Sequence, residues 1–500
     1  RRDGDRMNAR IRRLAAVLLL CYVVLFVQLN FLQVGQAREF RADPRNTREV
    51  TRDFNKPRGP IVTADGVVAA ESVVSTDGKF DFQRTYPTGD LFANVTGYYS
   101  FAYGATQLEK TQNDVLSGKT VQQQLGGLPG IFSGDKDNTG SVVLTMRSDL
   151  QQLAKDLLGG REGSIVAVDP RTGAILAMYS TPVFDPNEIA VHDTKRAGDV
   201  ITFYDASPGK PLLANAYQER YMPGSTFKIV TTATAFEAGV LSFDSFFPDE
   251  NQYLPPLTTD PIENYGGSTC GGDMREIFAR SCNTPFARTA VELGPERMVA
   301  GANAFGLNEA LPIDLPRPAA SFFGDVADFD QATPLLAIRG FGQNEVALTP
   351  LHMVMVASSV ANGGQMMSPY VVAETRDHDD RVLSRTAPSV WKTPMSPQTS
   401  AALTELMVGV VQNGTARSTM QLENGIQAAA KTGTAQLNAK GEPARSHAWI
   451  TAFAPAEAPR IAVVAMLKGT NAEISAGTGG TLAGPLAKQF LDYALTVLPA

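Results

Sequence analysis

Histidine and cysteine are scarce: four and three in 500 residues, which leaves little material for metal or thiol chemistry. No cluster has metal-ligand spacing, and no phosphate-binding loop of the P-loop type occurs. A Gly-x-Ser-x-Gly elbow is also missing, so a Ser-His hydrolase reading of His447 has no support. That histidine reads as a polar residue beside the strand around Trp449. Positive charge is not in excess: 44 Lys and Arg stand against 51 Asp and Glu, a net charge of −7. This argues against a nucleic-acid partner. No internal repeat or low-complexity run stands out, and neither a cofactor nor a metal is expected.

What is present begins with one long apolar run. Arg1, Arg2, Arg6, Arg10, Arg12 and Arg13 precede Leu14–Val34, whose only strongly polar residues are Gln28, Asn30 and Gln33. The length suits one bilayer crossing. The arginines place residues 1–13 in the cytoplasm and the rest outside the plasma membrane. A cleaved signal peptide is the alternative: Gly35 and Ala37 would permit cleavage, but the run exceeds the usual apolar core of about 7–15 residues. A buried soluble helix would show a polar face, and none is seen. Met7 is the expected start, with Arg1–Arg6 upstream of it. Cys21 falls inside the span. Cys270 and Cys282 fall outside, where disulfides persist, and are expected to form a bridge; two buried thiols are the other possibility.

At 500 residues, 43% hydrophobic and 19% charged, the chain has material for two or more domains with full cores. Residues 38–58 are polar and basic and read as an extended membrane-proximal stretch. A hairpin is predicted at Asp65-Gly66. Residues 35–145 read as a small mixed domain without chemistry of its own, with no clear period over Val121–Gly130. From about residue 146 to 500 a second domain follows. Ser148 or Asp149 is expected to cap a helix over Leu150–Leu158. Ser164–Val168 and Ala174–Met178 read as two strands joined by a turn. Trp449–Phe453 and Ile461–Met466 read as a second pair, and Ala483–Leu498 has helical spacing. Strands at both ends with helices between imply an α/β (α+β) fold: one sheet closed by sequence-distant segments, with a helical subdomain over roughly 215–420.

Three short motifs carry the chemistry. Ser-x-x-Lys occurs four times, at Ser133/Lys136, Ser207/Lys210, Ser225/Lys228 and Ser389/Lys392. The first two contain turn residues, and the last runs into Pro394. Only Ser225-Thr-Phe-Lys228 opens a long apolar stretch, behind Pro223-Gly224. On a helix this spacing puts both side chains on one face. A serine hydroxyl needs a base to become a nucleophile, and Lys228 can serve only if burial or a second cation lowers its pKa from about 10.4. Lys431 could be that cation. Ser281-Cys282-Asn283 occurs once: Ser281 could relay a proton, and Asn283 offers both a donor and an acceptor to a substrate amide. A helix cap is the plain structural alternative for this motif. Lys431-Thr432-Gly433-Thr434 reads as an edge strand. Gly433 would let a ligand backbone approach, and Lys431 with the Thr432 and Thr434 hydroxyls could hold a terminal carboxylate.

With these motifs in this order, the chain resembles the class B penicillin-binding proteins, single-pass D,D-transpeptidases of peptidoglycan synthesis. Further likeness lies in Arg58–Gly66, Asp169–Met178, Phe184–Asn187, Gly340–Gln343, Thr349-Pro350 and Asn413–Ala416. The resemblance implies a central antiparallel sheet with a helical subdomain, preceded by a transmembrane helix and a pedestal domain. It makes Ser225 the acyl-enzyme nucleophile, with an oxyanion hole from the backbone N–H groups of Ser225 and Thr434. Its implied substrates are peptidoglycan stem peptides, with β-lactams as mimics. Its implied partner is a membrane glycan polymerase of the shape, elongation, division or sporulation type. A D,D-carboxypeptidase, a serine β-lactamase and a β-lactam sensor are the rival readings. No clear deacylation base marks the β-lactamase, and the short arginine-rich tail offers no effector for a sensor.

Overall fold

The computed structural model describes residues 2–31, 48–126, 138–438, 442 and 445–499. They fall into two compact units, Arg1–Lys56 and Pro57–Ala500. In the first unit, helix α1 (Arg2–Asn30) contains Ile11–Asn30, 20 residues long and apolar enough to cross a membrane. At 1.5 Å per residue that is about 30 Å, the thickness of a hydrocarbon core. The helix takes in residues ahead of the expected start at Leu14, and residues 32–34 lie outside the described residues. The extended stretch expected over 38–58 is corrected in part: Arg48–Phe54 is helical. Prolines at 44 and 57 suggested extension, but the seven residues between Thr47 and Asn55 contain neither Pro nor Gly and are free to coil. Residues 38–47 lie outside the described residues.

Eleven strands build the two main sheets of the second unit. They are β1 (Ile61–Val62), β2 (Val68–Val74), β3 (Phe82–Thr85), β4 (Ser141–Leu144), β5 (Gly163–Val168), β6 (Ile175–Thr181), β7 (Val372–Arg376), β8 (Val382–Arg385), β9 (Ala429–Gln436), β10 (Ser446–Ala454) and β11 (Ile461–Leu467). The central sheet has the order β9-β10-β11-β5-β6 and is antiparallel throughout. Segments nearly 300 residues apart thus close one sheet, as Val464 opposite Val166 shows. Strands β5, β10 and β11 are buried along their whole length. Helices cover the sheet: α2 (Ser148–Leu158) packs on β6, and the Pro350–Ala361 helix, buried from Pro350 to Val360, packs on β11 and β5, as does the closing helix Gly484–Val497 on β11.

The second sheet has the order β8-β7-β4-β1-β2-β3. The β1–β2 hairpin turns at Asp65-Gly66, where Gly66 has φ +86°. Strands β7 and β8 come from residues 372–385, far beyond the 35–145 stretch that supplies the other four, and β7 pairs with β4. One continuous apolar core runs beneath both sheets. The expected Ser148 or Asp149 cap is corrected: the α2 N-cap position is Arg147, without a side-chain cap bond, and Asp65 accepts from the Ser148 backbone N–H at 2.9 Å and hydroxyl at 2.5 Å. Val121–Gly126 is helical where no period was seen; residues 127–137, with Ser133 and Lys136, lie outside the described residues. Ser207–Lys210 is a turn after the Thr194–Ala206 helix, and Val390–Lys392 is a strand, so neither pair shares a helix face.

A buried ion cluster braces the second sheet. Arg58 Nε donates to Glu109 Oε2 at 2.5 Å and Arg84 Nε donates to Oε1 at 2.6 Å, with all three side chains buried. Burial alone would raise the Glu109 carboxyl, but the two guanidiniums outweigh it and hold the pKa below the ordinary value. Its contribution is therefore present above about pH 4.3 and lost as pH falls through the lowered folded value. Glu109→Gln leaves two guanidiniums facing an uncharged amide. Denaturant unfolding is expected to show a loss of about 3–5 kcal/mol, and a loss below about 1 kcal/mol would contradict this role.

Candidate active site

Gly224 begins the site. Its φ of +55° and the bond from its N–H to Gly342 O, 2.9 Å, turn the chain into a 3₁₀ segment, Gly224–Phe227, that continues as the helix Lys228–Glu237. In a 3₁₀ turn positions three apart eclipse, which aligns Ser225 with Lys228. Ser225 is half-buried, and its hydroxyl has no hydrogen-bond partner among the described residues.

Strand β9 lies against this turn. A Cβ at Gly433 would stand 2.6 Å from Pro223 O and 3.1 Å from Thr226 N, and one at Gly224 would stand 2.7 Å from Thr434 O. The two glycines let the edge strand and the serine turn touch backbone to backbone. Gln343 adds a tie, its Nε2 donating to Thr434 O at 3.3 Å.

Ser281-Cys282-Asn283 links two helices. Ser281 ends Met274–Arg280 in the left-handed region, φ +62°, and Asn283 stands at the N-cap position of Thr284–Ala304. The cap reading of the motif is corrected: Asn283 makes no side-chain cap bond. Cys282 is joined to Cys270, with Cα atoms 5.7 Å apart.

The two lysines meet at Ser281. Lys228 Nζ donates to Ser281 O at 2.8 Å and to Asn283 Oδ1 at 2.9 Å, and lies 3.4 Å from Ser281 Oγ. Lys431 Nζ donates to Ser281 Oγ at 2.7 Å and to Thr432 O at 3.2 Å. Both lysines are fully buried. Burial, and secondarily the Lys431 charge, push Lys228 well below its ordinary pKa; burial lowers Lys431 to about 7. A neutral amine has two N–H bonds and one lone pair. In the neutral form, the two closest acceptors on Lys228 can take both N–H bonds and leave the lone pair for a proton.

The grip expected of Lys431, Thr432 and Thr434 together divides. Side chains alternate along a strand, so Lys431 faces Ser281 while Thr432 and Thr434 face the other way. The Thr432 hydroxyl bonds that of Thr415 at 2.5 Å, and Thr434 Oγ1 accepts from Gly479 N at 3.3 Å. The hydroxyls, not the ammonium, line that face. Thr415, Gly479 and Gln343 extend the site beyond the expected residues. Thr415 and Gln343 lie in the Asn413–Ala416 and Gly340–Gln343 segments, whose sequence carried no role. His447 stands apart from the lysines; its Nδ1 accepts from Gly469 N at 3.0 Å, and burial lowers its pKa to about 4.

A hydroxyl one 3₁₀ turn from a buried amine of lowered pKa, a second amine joined to the first through Ser281 and two threonine hydroxyls on a strand edge suit acyl transfer from a substrate ending in a carboxylate. The comparisons agree with this geometry. Residues 163–492 match the family described as penicillin binding protein transpeptidase domain, and residues 58–142 match the penicillin binding protein A dimerisation domain. Peptidoglycan D,D-transpeptidase PbpA of Mycolicibacterium smegmatis is 38% identical over 498 residues, 98% of this chain and 99% of that protein. The protein of the same name from Mycobacterium tuberculosis is 36% identical over 503 residues, 98% of this chain and 99% of that one. Penicillin-binding protein A from M. tuberculosis, solved as a ceftriaxone acyl-enzyme complex, superimposes with a TM-score of 0.82 at 35% identity, over 89% of this chain and 100% of that one.

Proposed function

The chain belongs to the penicillin-binding protein transpeptidase family, and from that premise we propose that it is a membrane-anchored peptidoglycan D,D-transpeptidase whose nucleophile is Ser225. The observation that carries the reading is the pair of buried amines joined through Ser281 beside Ser225. Lys228, neutral, takes the Ser225 proton as the hydroxyl attacks the carbonyl between two terminal D-alanines. The backbone N–H groups of Ser225 and Thr434 receive the developing oxyanion. The peptide C–N bond breaks, an ester forms, and a proton passes through Ser281 to the departing D-Ala amine. An amine of a second stem peptide then attacks the ester, restoring Ser225 and forming the cross-link. β-Lactams stop at the ester. Asn283 holds the substrate amide, and Thr432 and Thr434 hold its terminal carboxylate with Lys431 behind.

Around this site, residues 14–34 span the plasma membrane with residues 1–13 in the cytoplasm; 35–145, joined by the two strands at 372–385, supply the pedestal, and the rest of 146–500 forms the catalytic domain outside. A membrane glycan polymerase supplies the strands to be joined. Incubation with polymeric, uncross-linked peptidoglycan is expected to release D-Ala together with cross-linked dimers. Release of D-Ala with trimmed monomers alone would instead identify a carboxypeptidase.

The pH profile follows from the two amines. Acylation by benzylpenicillin is expected to fall on acidification, as Lys228 takes a proton and loses its lone pair. Lys431→Met removes the cation that helps keep Lys228 neutral, so the acid limb of the residual rate moves to higher pH. An unmoved or lower limb would contradict the coupling.

A further inference from the structure

Asn283 occupies a helix N-cap position yet leaves the capping undone. Its Oδ1 accepts from Lys228 Nζ at 2.9 Å, and its Nδ2 donates to Glu263 O at 3.1 Å. The first N–H groups of a helix need acceptors from elsewhere, and Pro285 removes only one of the donors here. For the N–H groups of Asn283 and Thr284 the acceptor comes from a different segment. Asn264 Oδ1 accepts from Asn283 N at 2.7 Å and from Thr284 N at 3.1 Å. Asn264 Nδ2 donates to Glu250 O at 2.8 Å and to Thr284 Oγ1 at 3.2 Å. The side chain is only 3% exposed, so its orientation is fixed by these bonds. The Cys270–Cys282 bridge ties the strand Cys270–Asp273, shortly after Asn264, to the loop that holds Asn283.

We propose that Asn264 is a positioning residue for acyl transfer: by accepting from the Asn283 and Thr284 N–H groups it pins the backbone that aims the Asn283 amide at Lys228 and a substrate amide. The inference rests on the acyl-transfer reading above. Truncating Asn264 strips two backbone N–H groups of their acceptor. The backbone at Asn283 is then no longer pinned, and its side-chain carbonyl moves away from Lys228.

The test is a double-mutant cycle on the full chain, reading the benzylpenicillin acylation rate constant per active site, normalised to final labelled fraction. Asn264→Ala is expected to slow acylation about tenfold or more. Asn264→Asp keeps an acceptor for both N–H groups but sets a buried carboxylate oxygen against Glu250 O, and is expected to fall between wild type and Asn264→Ala. In an Asn283→Ala background, adding Asn264→Ala changes the rate by less than about twofold, because the residue acts through Asn283. A full multiplicative effect in that background, or an unaffected Asn264→Ala, overturns the inference alone. A wild-type chain that takes no label overturns the acyl-transfer reading and this inference with it.

Discussion

Lys228→Met is expected to slow acylation of Ser225 by about 10²–10⁴-fold, the range for loss of a general base, while the fold stays at least as stable. Lys228 is fully buried and its pKa is pushed well below the ordinary value by burial and then by the Lys431 charge. The unfolded chain therefore binds a proton that the folded chain lacks, between the lowered folded value and about 10.4, and stability rises with pH through that window. Methionine fills similar space without that linkage, beside the Phe286 ring 5.2 Å from Nζ. The hydrogen bonds to Ser281 O and Asn283 are lost, which limits the gain. Thermal unfolding and acylation kinetics on one preparation check both halves. A folded variant that acylates within about threefold of wild type would remove Lys228 from the proton path.

Gly433→Val is expected to cost about 100-fold or more in acylation, although valine suits a strand better than glycine. The reason is the contact with the serine turn. A Cβ at this position would meet Pro223 O at 2.6 Å and Thr226 N at 3.1 Å, both backbone atoms. The edge strand must then move off the turn, separating the Thr434 N–H from Ser225. Gly409 in the Pro397–Gln412 helix supplies the control, since a Cβ there has nothing within 4 Å. Gly409→Ala is expected to keep wild-type acylation and to stabilise by up to about 1 kcal/mol. Equal acylation in both variants would contradict the proposed geometry of strand and turn.

Much of the site was legible because its signals are local. Pro223-Gly224 before an apolar run marked Ser225 among four Ser-x-x-Lys pairs, and the structure puts a 3₁₀ turn and a buried helix there. The family resemblance carried by the motifs agrees with the family to which the chain belongs. The central sheet was legible from four apolar runs at the two ends of the catalytic part. The pairing of β7 with β4 was not, because Val372–Arg376 and Val382–Arg385 are short and carry polar residues, with no apolar run to mark a strand. Arg48–Phe54 escaped because flanking prolines outweighed the residues between them. The division between Lys431 and Thr432 was available from strand alternation, but reading the motif as one carboxylate grip hid it. Asn264 gave no signal at all: it acts across 19 residues through backbone groups, and no spacing rule reaches it.

The central claim is that Ser225, flanked by Lys228, Ser281 and Lys431, is the residue that becomes acylated. Peptide mass mapping of the benzylpenicillin-treated chain, with Ser225→Ala as the parallel sample, tests it most directly. The account predicts one adduct per chain, on the Tyr221–Lys228 peptide, and none in Ser225→Ala. An adduct on Ser207, Ser389 or Ser281, or an undiminished adduct in Ser225→Ala, would contradict it.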